Sequence, residues 1–243
     1  MRAMNSSAPE APDQAQLDLP ASGAVDLLFV LLHGVGGSKA QMAPIAAALR
    51  TQYPQAALLS LDAPEPCDDP SAGPGQQWFS MLVRTPEAVA AGVEAALPAL
   101  IARVRAWGRH FELDWPRVAL VGYSQGAIMA LEAVQAEAEL VGRVIGFSGA
   151  YAWLPQDAPK DVCVHLVHGM ADAVLPYQPI VEAAQALVAL GADVTADVVP
   201  GVGHPIDARL IDKAMEQLRT FIPARLWREA VLLAAEQDRQ TRH

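Results

Sequence analysis

Basic residues are scarce in this chain: 17 Lys and Arg stand against 27 Asp and Glu among 243 residues, a formal net charge of −10. With no local cluster of Lys and Arg to override that total, the chain offers no footprint for a phosphate backbone, which argues against nucleic acid as a partner. Charge of either sign is sparse too, at 18%, while hydrophobic residues reach 52%. That is the reverse of a disordered composition. Only two cysteines are present, Cys67 and Cys163. They are too few for a disulfide framework and lack metal-ligand spacing, so they read as free thiols in a reducing compartment. No apolar run approaches the roughly 18 residues of a membrane-spanning helix, and Met1 to Gln14 lacks the apolar stretch of a secretory signal. The expectation is a soluble, cytoplasmic protein with no membrane span, long enough to bury a large core without a staple.

What the chain does have is a recurring pattern. Short, nearly unbroken apolar runs appear at Leu27 to Leu32, Ala56 to Leu61, Val118 to Val121, Val144 to Phe147, Val162 to Val167 and Val194 to Val199. Runs with so little polar alternation suit strands covered on both faces. Helical stretches lie between them, at Lys39 to Arg50, Glu87 to His110, Gln125 to Glu137, Gln178 to Leu190 and Asp207 to Thr220, with another at Ala224 to Gln237. Alternation of this kind predicts an α/β fold, a mostly parallel sheet with helices on both faces. Residues 1–23 are polar and aperiodic and read as a disordered tail, with a short edge strand at Gln16 to Leu19 as the exception. Residues 24–222 form one domain, and 223–243 an amphipathic helix packed on it or used in a homodimer contact. A long Pro/Gly-rich connection from Asp62 to Thr85 breaks the rhythm. Its Trp78 and Phe79 are costly to leave in water, so it is expected to fold over a site.

The motif with chemical content is Gly122-Tyr123-Ser124-Gln125-Gly126, placed between a strand and a helix. There the serine is thrust out on a strained turn above a helix N-terminus. A serine hydroxyl needs a base, and the base needs an orienting group. Of six histidines, His204 lies in a loop just past the last strand, where it can reach the edge that carries Ser124. His165 and His168, three apart on a strand, face opposite sides of the sheet, which removes them as a metal pair. Asp172 follows the strand ending near Val167 and is better placed than Asp62, Asp193, Asp197 or Asp207. Ser124, Asp172 and His204 then come in chain order nucleophile, acid, base. For the oxyanion, the Gln125 amide supplies one donor, and Val35, in the turn Leu32-His33-Gly34-Val35-Gly36-Gly37, the other. A phosphate-binding reading of that turn fails because Lys39 stands where a dinucleotide fingerprint needs glycine. His33 is expected to brace the turn.

Together, His33-Gly34-Val35-Gly36, Gln77-Trp78-Phe79, Gly122 to Ala127, His168-Gly169-x-x-Asp172-x-Val174-x-Pro176 and Gly203-His204 resemble the small carboxylesterase/phospholipase family of α/β-hydrolases, which includes the acyl-protein thioesterases. The bacterial esterase branch is the nearest in pattern. This resemblance implies an α/β-hydrolase fold without a large cap domain, a Ser124, Asp172, His204 triad, and ester or thioester hydrolysis through an acyl-enzyme with no metal or organic cofactor. Trp78, Phe79, Leu175 and Trp153 are the residues expected to line a pocket for short to medium acyl chains. A peptidase, a lactone hydrolase and a non-catalytic binding module stay open as alternatives. Two departures from the family pattern are Pro205, directly after the base, and the segment beyond Pro223.

Overall fold

The computed structural model describes residues 15–224, together with residues 226, 231–233 and 239. The expected tail over 1–14 and most of the expected C-terminal helix lie outside the described residues. In chain order the elements are β1 (Gln16–Asp18), β2 (Leu27–Leu32), a 3-10 turn at Lys39–Met42 leading into α1 (Ala43–Gln52), β3 (Ala56–Leu61), β4 (Glu65–Pro66) and β5 (Gln76–Gln77). There follow α2 (Pro86–His110), β6 (Val118–Tyr123), α3 (Gln125–Ala136), β7 (Arg143–Phe147), β8 (Cys163–Gly169), α4 (Gln178–Ala189), β9 (Asp193–Val199) and α5 (Ala208–Thr220).

Seven strands form one sheet in the order β1-β3-β2-β6-β7-β8-β9, parallel throughout except for β1. The apolar runs coincide with its inner strands because each is covered twice. On β2, Leu28, Val30 and Leu32 face the cluster that holds α2, α3 and α4, while Phe29 and Leu31 face the one built with α1 and α5. β1 lies within the stretch expected as tail. It is paired to β3 and tied down by Arg50, whose guanidinium donates to the Asp18 side chain at 3.0 Å and to the Asp18 carbonyl at 2.8 Å. Thr85 caps α2 by accepting the Ala88 N–H, Pro86 occupies its first turn, and the helix continues through Pro98 to His110. At the far end the Ala224 N–H donates to Asp193 at the start of β9, which fixes where the chain leaves the sheet.

Candidate active site

The turn from β6 into α3 is tight enough to dictate its own sequence. A Cβ on Gly126 would fall 2.2 Å from the Leu32 carbonyl oxygen, and one on Gly122 2.3 Å from that of Gly126. Only glycine lets β2, β6 and α3 approach so closely. Between the two glycines Ser124 is held at φ 52°, ψ −116°, a conformation that side chains avoid, and its N–H is anchored on the Phe147 carbonyl at 2.9 Å. The hydroxyl is thereby aimed out of the carboxyl edge of the sheet.

Three loops converge on it. His204 Nε2 lies 3.0 Å from Ser124 Oγ, and His204 Nδ1 lies 2.7 Å from Asp172 Oδ2. Facing an ionised carboxylate, Nδ1 carries the proton and leaves Nε2 as acceptor for the hydroxyl. The other carboxylate oxygen, Oδ1, accepts the Val174 and Leu175 N–H groups at 2.8 and 2.9 Å. Burial pushes the Asp172 carboxyl up, but the Leu175 amide, His204 and the Val174 amide together outweigh it and hold the group below its ordinary value. The Tyr123 phenol donates to the His204 carbonyl at 3.3 Å, its ring 5.5 Å from the imidazole, and burial beside Asp172 pushes it up to about 12. So it stays neutral. The structure therefore brings Ser124, Asp172 and His204 together as one hydrogen-bonded chain.

The turn after β2 runs against Ser124: a Cβ on Gly34 would come within 3.2 Å of the Ser124 Cβ. Its neighbouring amides are committed, Gly34 N–H to Gln41 Oε1, Gly36 N–H to the Gln76 carbonyl and Gly37 N–H to the Gly34 carbonyl. The amides of Val35 and Gln125 meet no acceptor among the described residues. His33 braces this turn. Its Nε2 accepts the Ala63 N–H at 3.0 Å, so Nδ1 carries the proton and donates to the Gly34 carbonyl at 2.7 Å, while burial lowers its pKa and keeps the ring neutral.

The four expected pocket residues differ widely in exposure. Trp78 and Phe79 are 3% and 5% exposed and belong to the core, with Trp78 Nε1 donating to the His33 carbonyl. Both are pulled in by the Gln125 side chain, which accepts the Trp78 N–H and donates to the Phe79 carbonyl. Trp153 is the opposite case, 57% exposed, its backbone held by Glu132. Leu175, half-buried in the acid loop, is the one that lies beside the triad. An apolar cavity of about 450 Å³ lies elsewhere, between α4 and the edge strand β9, and is lined by no residue of the triad. His165 and His168 do not form a pair: His165 bonds Thr195 and is pushed down to about 3 by burial and the Arg143 charge, whereas His168 turns toward Asp172 and Leu175. Sequence reasoning weighed His168 only as a metal partner and as part of the His168-Gly169-x-x-Asp172 motif, and missed Gln41, Glu132 and the side chain of Gln125, whose hydrogen bonds no spacing rule reveals.

The sequence profile of the phospholipase/carboxylesterase family matches residues 20–224, most of the chain. The chain belongs to the phospholipase/carboxylesterase family. As a member of it the protein is a carboxylic ester hydrolase with the α/β-hydrolase fold. This family member is 39% identical over 204 residues to esterase YpfH of Escherichia coli (strain K12), covering 84% of this chain and 87% of that protein. It is 30% identical over 118 residues to acyl-protein thioesterase 1 of Gibberella zeae, covering 44% and 49%. Among solved structures it superposes on esterase PE8 with a TM-score of 0.77 at 29% identity, covering 86% and 98% of the two chains. Its fold is also that of Zea mays acyl-protein thioesterase 2, at a TM-score of 0.66 and 19% identity, covering 85% and 97%.

Proposed function

We propose that the protein cleaves uncharged carboxylic esters of short to medium acyl chain through an acyl-enzyme on Ser124. The observation that carries the reading is the unbroken chain Ser124 Oγ, His204, Asp172, at 3.0 and 2.7 Å, ending on a serine in a strained conformation. Ser124 attacks the substrate carbonyl as His204 Nε2 takes its proton, and Asp172 stabilises the imidazolium. The uncommitted Val35 and Gln125 amides receive the oxyanion, the second with the favourable field of the α3 N-terminus behind it. His204 then protonates the leaving alkoxide, and water repeats the sequence on the acyl-enzyme. No described element forms a cap, and Trp153, Leu154, Met170 and Val174 stand exposed on loops leaving the carboxyl edge of β7 and β8. That supports an open site suited to modest acyl chains. Two free cysteines, one buried, support a reducing, cytoplasmic setting.

The test is a panel of p-nitrophenyl esters, acyl thioesters and lactones assayed with wild type and Ser124→Ala, beside fluorophosphonate labelling. The expected result is ester turnover by wild type, a loss of about 10⁴-fold or more in the alanine variant, and a label on Ser124 alone. Retained activity in Ser124→Ala, or a label elsewhere, would remove the assignment.

A further inference from the structure

His168 is a second imidazole on the triad carboxylate. It sits in β8, 1% exposed, four residues before Asp172. Its Nε2 lies 2.9 Å from the Leu175 carbonyl oxygen and 3.2 Å from Asp172 Oδ2, the same oxygen that receives His204 Nδ1 at 2.7 Å. Both neighbours of Nε2 accept only, so this nitrogen carries the proton; its N–H donates to the Leu175 carbonyl, with Asp172 Oδ2 beside it at 3.2 Å. Nδ1 is then a bare lone pair, buried with no partner among the described residues. A buried polar atom left unpaired is a cost, and an apolar side chain of similar size would avoid it. What the ring adds at this position is its one donating N–H.

The other donors show where that N–H matters. Oδ1 of Asp172 is fixed by the Val174 and Leu175 amides. Oδ2 has the two imidazoles, of which His204 belongs to a separate loop and must exchange protons during turnover. By donating to the Leu175 carbonyl, His168 ties down the turn whose amides hold Oδ1, and its N–H dipole stays 3.2 Å from Oδ2 in a strand that does not move with the reaction.

We propose that His168 is a positioning residue for ester hydrolysis: its Nε2–H, donated to the Leu175 carbonyl, fixes the turn whose amides hold Asp172 Oδ1, so that Oδ2 stays aligned with His204 Nδ1. The inference rests on the triad reading above. The titratable groups facing Asp172 are His204, His168 and Tyr123, and Tyr123 remains neutral across the working range.

The experiment compares His168→Leu and His168→Met, which lack a donor, with His168→Gln, whose amide can place one near Nε2. For the donorless variants kcat is expected to fall on the order of 10–100-fold, the range for partners that orient a reacting group from outside, with KM little changed. The acid limb of kcat/KM, which reports His204 in the free enzyme, should move to higher pH, because a carboxylate that loses the nearby N–H dipole and its fixed turn amides holds the imidazolium more tightly. The low-field proton resonance of His204 Nδ1–H should shift with it, and His168→Gln should restore kcat, limb and resonance toward wild type. A donorless variant that loses only thermal stability, keeping kcat, acid limb and resonance, would overturn the proposal. So would failure of both donorless chains to fold, since the ring would then be structural. Fluorophosphonate labelling of wild type separates the cases: if Ser124 is unlabelled the triad reading fails first, and if it is labelled only the role of His168 is in question.

Discussion

At the scale of single residues the site turns on one carboxylate. Asp172 is buried, yet its hydrogen bonds from the Leu175 amide, His204 and the Val174 amide hold its carboxyl below the ordinary carboxylate range. Its folded pKa is lower than its unfolded one, so it contributes stability above the ordinary value, and that contribution is lost as pH falls through the folded value. Asp172→Asn should lower kcat by about 10⁴-fold, because an amide at Oδ2 favours the wrong imidazole tautomer. The gap in Tm between wild type and this variant should be widest near pH 6–7 and close below pH 4. A gap that widened toward acid would show that the carboxylate is not held down. Order and spacing single out Ser124, Asp172 and His204, which lie in the loops after β6, β8 and β9, and the structure brings them within hydrogen-bond distance of one another. The inward turn of Trp78 and Phe79 was not legible, because a sequence does not say which way a loop turns its side chains. Here the Gln125 amide decides it, clamping the backbone on either side of Trp78.

Elements explain the rest of the site. Helix α3 carries ten buried residues and supplies both the amide beside Ser124 and two side chains that reach neighbouring loops. Gln125 holds the Trp78 to Phe79 segment. That segment follows β5, and Gly75 and Gln76 pair with Gly36 and Gly37, so the long connection braces the turn after β2 with its backbone. The length and Pro/Gly content of this connection were readable; the pairing was not, since Gly-Gly backbones carry no pattern. Two turns along α3, Glu132 accepts the Ala152 and Trp153 amides and so holds the loop after β7. Burial raises its pKa, and those two amides only partly offset the rise. The sign is opposite to that of Asp172: stability is full below the ordinary carboxylate value and is lost as pH rises through the folded one. Glu132→Gln keeps an acceptor and cannot ionise, so its Tm relative to wild type should increase between pH 4 and pH 7. Glu132→Ala should cost about 1–3 kcal/mol by stranding both amides. A flat difference between wild type and Glu132→Gln across that range would mean that Glu132 ionises normally.

For the molecule as a whole, charge is the property that the local chemistry leaves unused. Asp172 is ionised and no cluster of Lys and Arg offsets it in the sequence, so a substrate approaching the carboxyl edge meets a protein with net charge −10. Like charge slows encounter and raises the energy of a bound anion, and both effects are screened by salt. A p-nitrophenyl ester with a terminal carboxylate on its acyl chain should therefore have a kcat/KM on the order of tenfold below that of a neutral ester of equal length. Because the Debye length shrinks from about 10 Å at 0.1 M salt to about 3 Å at 1 M, the deficit should narrow across that range while the neutral ester changes little. The measurement is kcat/KM for the matched pair at several ionic strengths. A deficit that salt does not touch would place the discrimination in direct contacts near Leu175 rather than in the field of the chain, and a preference for the anion would reveal a local positive site that outweighs the total.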